Sequence, residues 1–219
     1  MKHKLLIALF VLAGTASRSQ DMVLNDPVSN KTYNAGLYSE MKGTPFLSDK
    51  WTKGTATAAE GTYKSLELKL DAYNNVLFFK RNDEPFEFQT PIKSFVLMPR
   101  EGDSSSYMYF KKGISGPSLQ PNQYVQVLAE GKISLYKSDI KLVSDVNEVN
   151  RGVIKAFNNS SRLFVKQGET VTLFKAGKDE LLSYTKDHKE KVEAYIKERK
   201  LNLKKEKDIA EAVQYYNSL

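Results

Sequence analysis

The sequence predicts a mainly β protein with an α-helical C-terminus. We expect an antiparallel meander, as a rolled sheet, barrel-like or sandwich, then a small hairpin and two C-terminal helices. Three observations predict this. Within residues 63–70, Leu66, Leu68 and Leu70 are separated by Glu67 and Lys69, the period of two of a strand with one dry and one wet face. Similar short runs are separated by turn-rich segments, as antiparallel connections require. From Gly177 onward the apolar spacing changes, and Val192, Tyr195 and Ile196, then Ile209, Ala212, Val213 and Tyr216, recur with the helical period.

In chain order, residues 1–19 read as a secretory signal peptide. Lys2 and Lys4 precede an apolar run, and Ser17 and Ser19 set up a cut ahead of Gln20. A membrane anchor is the alternative, but the run is too short to span a bilayer. No cysteine follows for lipid attachment. Residues 20–50 form a polar leader rich in turn residues, packing inward at Phe46, Leu47 and Trp51. Trp51 reads as a plug at the core edge, with an exposed ligand platform as the alternative.

Residues 51–143 form the meander. Residues 71–75 and 82–85 break it into strands, Phe86 and Phe88 alternate with Glu87 and Gln89, and 92–98 is a further strand. Two loops follow, at 100–106 and 113–122, with Tyr107, Tyr109 and Phe110 between them. Residues 123–129 and 132–137 then form a hairpin about Glu130-Gly131, whose alternation sets Val125 and Val127 against Ile133 and Leu135. Residues 144–161 lose the alternation and are expected as a linker. Residues 162–219 carry a second hairpin, turning at Gln167-Gly168-Glu169, and two helices spanning about 187–200 and 206–218.

Composition narrows the function. The chain has 219 residues and net charge +7; removing residues 1–19, with Lys2, Lys4 and Arg18, takes the 33 basic residues to 30 against 26 acidic ones, or +4. So small an excess does not steer a protein toward nucleic acid. Without cysteine, an exported chain relies on its core rather than on disulfides. After the signal peptide no run is long enough for a transmembrane helix.

The residues offer no recognisable reaction centre and no cofactor-binding set. His188, beside Asp187, is the one histidine after the signal peptide, and it reads as a solvent-facing residue on a charged helix. One histidine and no cysteine leave the usual zinc ligand sets empty. Glu67, Asp71, Glu84, Glu87, Glu101 and Asp103 fall on turns or wet strand faces. Asp145-Val146-Asn147 starts like a calcium loop, but Val149 and Asn150 break the pattern. Three glycosylation sequons begin at Asn30, Asn158 and Asn159.

The strand aromatics mostly fill the core. Phe86, Phe88, Tyr107 and Tyr109 are the candidate binding residues, because an outward-facing pair on a concave sheet would stack on a glycan or grip a partner. Two long stretches carry a resemblance: GTPFLSDKWTKGTATAAEGTYKSLELKLDAYNNVLFF, and the C-terminal part from FVKQGETVTLF to KKEKDIAEAVQYYNSL. They resemble a group of exported Bacteroidetes proteins, β-rich with a helical tail, over most of the chain after the signal peptide and only loosely over 99–161. The group has no established activity to carry over. The resemblance implies a compartment: the periplasm or the outside of a Gram-negative bacterium.

The function expected is therefore non-catalytic: an exported envelope or secreted module that binds a protein or polymer through a sheet face or edge. The alternative is an Asp/Glu-dependent hydrolase of extracellular polymers. A third reading is a carrier of lipids or small molecules inside a closed barrel.

Overall fold

The computed structural model describes residues 23–24, 27, 31–33, 35–149 and 152–219. The signal-peptide expectation and the sequon asparagine Asn30 lie outside them. One eleven-stranded sheet organises the molecule. Its strands are β1 (Val23–Leu24), β2 (Thr52–Thr57), β3 (Thr62–Asp71), β4 (Val76–Arg81), β5 (Glu84–Glu87), β6 (Ser94–Leu97), β7 (Met108–Lys111), β8 (Val125–Ala129), β9 (Ile133–Glu148), β10 (Gly152–Gln167) and β11 (Thr170–Phe174). Across the sheet the order is β11-β10-β9-β8-β7-β6-β2-β3-β4-β5, antiparallel throughout, and β1 runs parallel to β3 off this path.

The meander has one departure from sequential order: after β5 the chain crosses back and β6 pairs with β2. Residues 88–93 make that crossing, and Ile92 within it is buried, its carbonyl accepting a hydrogen bond from the Tyr124 hydroxyl at 2.9 Å. The sheet rolls but does not close. The β3–β4 turn reaches the middle of β9, where the Lys141 amide donates to the Ala72 carbonyl at 3.2 Å.

Pairing registers assign the two faces. Ala56, Phe95, Phe110, Gln126, Lys137 and Leu163 are successive cross-strand partners and share one face. Thr55, Val96, Tyr109, Val127, Tyr136 and Phe164 form the adjacent row on the other. The first face carries two apolar clusters. One fills the roll, with Leu68, Leu77, Phe79, Phe95 and Phe110. The other sits where Ile133, Leu135 and Val165 meet the helices. A third cluster is on the opposite face, where Ile114 and Leu119 of the 113–122 loop cover Val125, Tyr136 and Phe164.

Three helices, not two, follow the sheet: α1 (Lys178–Tyr184), α2 (Lys189–Glu198) and α3 (Glu206–Ser218). Leu181 and Leu182 do not lead into the second helix but form a separate short one, ended at the buried Thr185. α3 packs directly on β8 and β9, and all three helices share one buried cluster with the sheet through Leu181, Val192, Ile209 and Val213, since short amphipathic helices are stable only when docked. His188 ends the 3-10 turn between α1 and α2. It is half-buried, with its ring beside Tyr216, centroids 6.2 Å apart.

Two other expectations change. Residues 144–161 are not a linker. Residues 144–148 and 152–161 are the distal halves of β9 and β10, paired in unbroken register from Gly152↔Glu148 to Gln167↔Ile133. They are held mainly by backbone pairing and bury little beyond Ala156 and part of Phe157, so the alternation that marks other strands is missing; Val149 and Val153 are 86% and 67% exposed. Val125 and Val127 do not face Ile133 and Leu135 either. The register shifts between Val127 and Ala129, so Val127 opposes Tyr136 and Ala129 opposes Leu135. A bulge of one residue moves side chains to the opposite face.

The leader, from residue 31 on, is fastened to the sheet. Tyr33, Phe46 and Phe78 contact one another with ring centroids 5.2 to 6.3 Å apart, and Tyr38 and Tyr73 both pack on Phe157 of β10. Lys42 pairs with Ala156 as a one-residue bridge.

Candidate binding groove

Strands β6, β7 and β8 form one wall of a groove and helices α2 and α3 the other, enclosing about 1150 Å³. Tyr107 and Tyr109 both line it. Their place follows from local structure. Asp103 caps the 104–106 turn by accepting from the Ser105 amide at 3.0 Å, and the chain then extends into β7. The Tyr107 hydroxyl accepts from the Gly102 amide at 3.3 Å, which fixes one ring at the strand's entrance. Tyr109 stands in the middle of β7 between Val96 and Val127 and is 50% exposed.

The other candidate pair lies outside this groove. Phe86 and Phe88 are half-buried and pack on Phe79, with ring centroids 5.9 and 4.8 Å away. Cross-strand pairing of Phe86 with Phe79 turns both rings into the roll. Of the four aromatics singled out in the sequence, the structure brings Tyr107 and Tyr109 to one groove and packs Phe86 and Phe88, half-buried, against the core of the roll.

The helical wall contributes residues that sequence spacing placed elsewhere. Tyr195 shares the helical repeat of Val192 and Ile196, but those two are buried while Tyr195 lines the groove. It stacks on Tyr215 with ring centroids 3.9 Å apart and planes within 3°. Only the docked position of α3 distinguishes Tyr195 from its apolar neighbours. Lys207, Ala210, Glu211 and Gln214, along the flank of α3, complete this wall.

Three carboxylates line the groove, and each already has partners. Glu130 accepts from Lys111 and, at 3.2 Å, from the Tyr136 hydroxyl. Glu206 pairs with Lys137 at 2.9 Å. Glu211 accepts from the Tyr195 hydroxyl at 3.2 Å and from Arg199 at 3.3 Å. Burial works against charge on Lys111, but Glu130 and Tyr136 outweigh it and hold the ammonium above its ordinary value. Burial, reinforced by Glu211, raises the Tyr195 phenol. The carboxyl groups with a resolved shift, Asp83, Asp103, Asp187 and Glu193, are all lowered and so held ionised.

Outside the groove, Asp71 sits at a turn, but it is buried there rather than solvated. It is 1% exposed, and its carboxylate closes the β3–β4 turn by accepting from the amides of Tyr73 at 2.9 Å and Asn74 at 2.8 Å. Glu87, Glu101 and Asp103 are ion-paired at the surface with Lys31, Lys53 and Arg100. Among the described residues no three His, Cys, Asp or Glu side chains converge as a metal site. No described helix is long and apolar enough to cross a membrane.

No protein-family model, curated protein or solved structure matches the chain.

Proposed function

We propose that the protein is an exported, non-catalytic module that binds an extended polymer in the groove between β7 and α3. The observation that carries this reading is the pairing of Tyr107 with half-exposed Tyr109 on one wall of that groove. Exposed rings at a rigid strand offer flat, amphipathic contact area at low entropic cost. A polymer laid along β7 would meet both rings in turn. The commitment of Glu130, Glu206 and Glu211 to cations and hydroxyls favours binding over hydrolysis, because a catalytic carboxyl must be in hydrogen-bond reach of the substrate.

Calorimetric titration with soluble fragments of bacterial and plant glycans tests the reading. Tyr109→Ala should weaken binding about two- to tenfold, the equivalent of about 0.5–1.5 kcal/mol for one aromatic contact. Titrations that are flat for every fragment, or unchanged by Tyr109→Ala, would remove the groove from consideration. The three carboxylates keep a hydrolase as the second reading. Reducing-end release abolished by Glu130→Gln, Glu206→Gln or Glu211→Gln would establish it instead. The signal-peptide pattern supports export to the periplasm or beyond in a Gram-negative cell. N-terminal sequencing of protein recovered outside the cytoplasm should begin at Gln20.

A further inference from the structure

A second cleft, of about 860 Å³, shares no lining residue with the tyrosine groove. It lies where the roll stops short of closing. The start of β2, the end of β6 and the start of β7 form one side, and residues 137–141 of β9 form the other. The hydrogen bond from the Lys141 amide to the Ala72 carbonyl ties β9 to the β3–β4 turn at the cleft. Its volume lies within the range of small-molecule pockets, about 300–1,000 Å³.

The lining divides into two chemistries. Trp51, Leu97, Met98 and Met108 make an apolar wall, and unbranched thioether side chains adapt readily to irregular apolar shapes. Four lysines line the same cleft, and two of them are committed: Lys53 to Glu101 at 2.6 Å, and Lys137 to Asp139 at 3.2 Å and Glu206 at 2.9 Å. Lys50 and Lys141 have no carboxylate partner among the described residues. An apolar wall lined also by two lysines outside any ion pair among the described residues matches a ligand with a hydrocarbon body and an anionic head.

We propose that this cleft binds a small anionic amphiphile of the alkyl-carboxylate class, its tail against Trp51, Met98 and Met108 and its head between Lys50 and Lys141. This differs from a carrier with a closed barrel: the site exists because the sheet stays open, and the ligand enters from the side.

Trp51 is the only tryptophan in the chain, so its emission reads this cleft alone. The full-length protein is titrated with dodecanoate below its micellar concentration, with dodecyltrimethylammonium, and with acetate. Dodecanoate should give a saturable shift in Trp51 emission. The cationic amphiphile should bind at least about tenfold more weakly, and acetate should leave the emission unchanged. The surface pair Lys50→Glu and Lys141→Glu should weaken dodecanoate by a similar factor with the circular dichroism preserved. The proposal is overturned by a non-saturable dodecanoate response, by equal affinity for the two head groups, or by unchanged affinity in the folded double variant. The head-group comparison needs no variant, so it decides the matter even where the double substitution disturbs folding.

Discussion

Individual residues show where space and solvent, rather than propensity, set the constraint. At Gly54 a Cβ would lie 2.2 Å from the Val96 carbonyl oxygen and 2.8 Å from Leu68 Cδ1. β2 must pass that close because it is clasped between β3 and β6. Gly54→Ala should therefore destabilise by about 1–3 kcal/mol or more, read as a lowered urea midpoint. Tyr124 illustrates the solvent side. Burial pushes its phenol well above its ordinary value near 10. A raised pKa means that the neutral phenol is favoured in the folded state, so this contribution is complete below about pH 10 and is lost as pH rises beyond it. Stability measured up the alkaline limb should fall in the wild type, and Tyr124→Phe should flatten part of that slope. Tyr124→Phe should also lose about 0.5–1.5 kcal/mol at neutral pH with the hydrogen bond to Ile92.

Among the elements, α3 shows how one residue can position a helix. Asn217 donates to the Ile133 carbonyl at 2.9 Å and accepts from the Ile133 amide at 3.1 Å, clamping the C-terminal turn of the helix to the β8–β9 turn. The fit is tight enough that a Cβ on Gly131 would meet the Asn217 side chain at 2.5 Å. Asn217→Ala leaves two strand backbone groups without their partner and should cost about 1–3 kcal/mol. Since the flank of α3 forms one wall of the groove, the same variant should loosen Tyr195 against Tyr215. The change would be visible as altered tyrosine near-ultraviolet dichroism. The adjacent Tyr216 donates to Asp187 at 2.9 Å, tying α3 to the turn before α2.

For the whole molecule, the question is whether the roll and the helical layer are separate folding units. Their apolar clusters are distinct, but the sheet runs unbroken beneath both. β8 lends Val125 to one face, and Ala129 beyond the bulge to the other. Loss of either layer would expose strands shared with its neighbour. Urea unfolding followed by helical dichroism, which reports α1–α3, and by Trp51 emission, which reports the roll, should give coincident transitions. Two separated midpoints would mean that the layers fold independently. Docking of the polymer in the groove, which has one wall in each layer, should raise both midpoints together.

Much of this fold is legible in the sequence because it rests on local periodicity. The alternation of Leu66, Leu68 and Leu70 appears as β3, the 71–75 break as the β3–β4 turn, and the repeat of Ile209, Ala212, Val213 and Tyr216 as the buried stripe of α3. β2 carries almost no such signal: it reads TKGTAT and is a strand because two neighbours clasp it. The distal hairpin is nearly as silent, since pairing with little burial leaves little alternation. The same division runs through the candidate site. Sequence alone determined that aromatic residues punctuate the strands, that no histidine or cysteine set stands ready for metal or nucleophilic chemistry, and that the C-terminus is helical. Only the tertiary structure decided that Phe86 and Phe88 turn inward while Tyr109 faces a groove, that Asp71 is buried, and that the sheet stays open beside Trp51. Strand period fixes which residues share a face, but whether that face is covered depends on contacts between residues far apart in the chain.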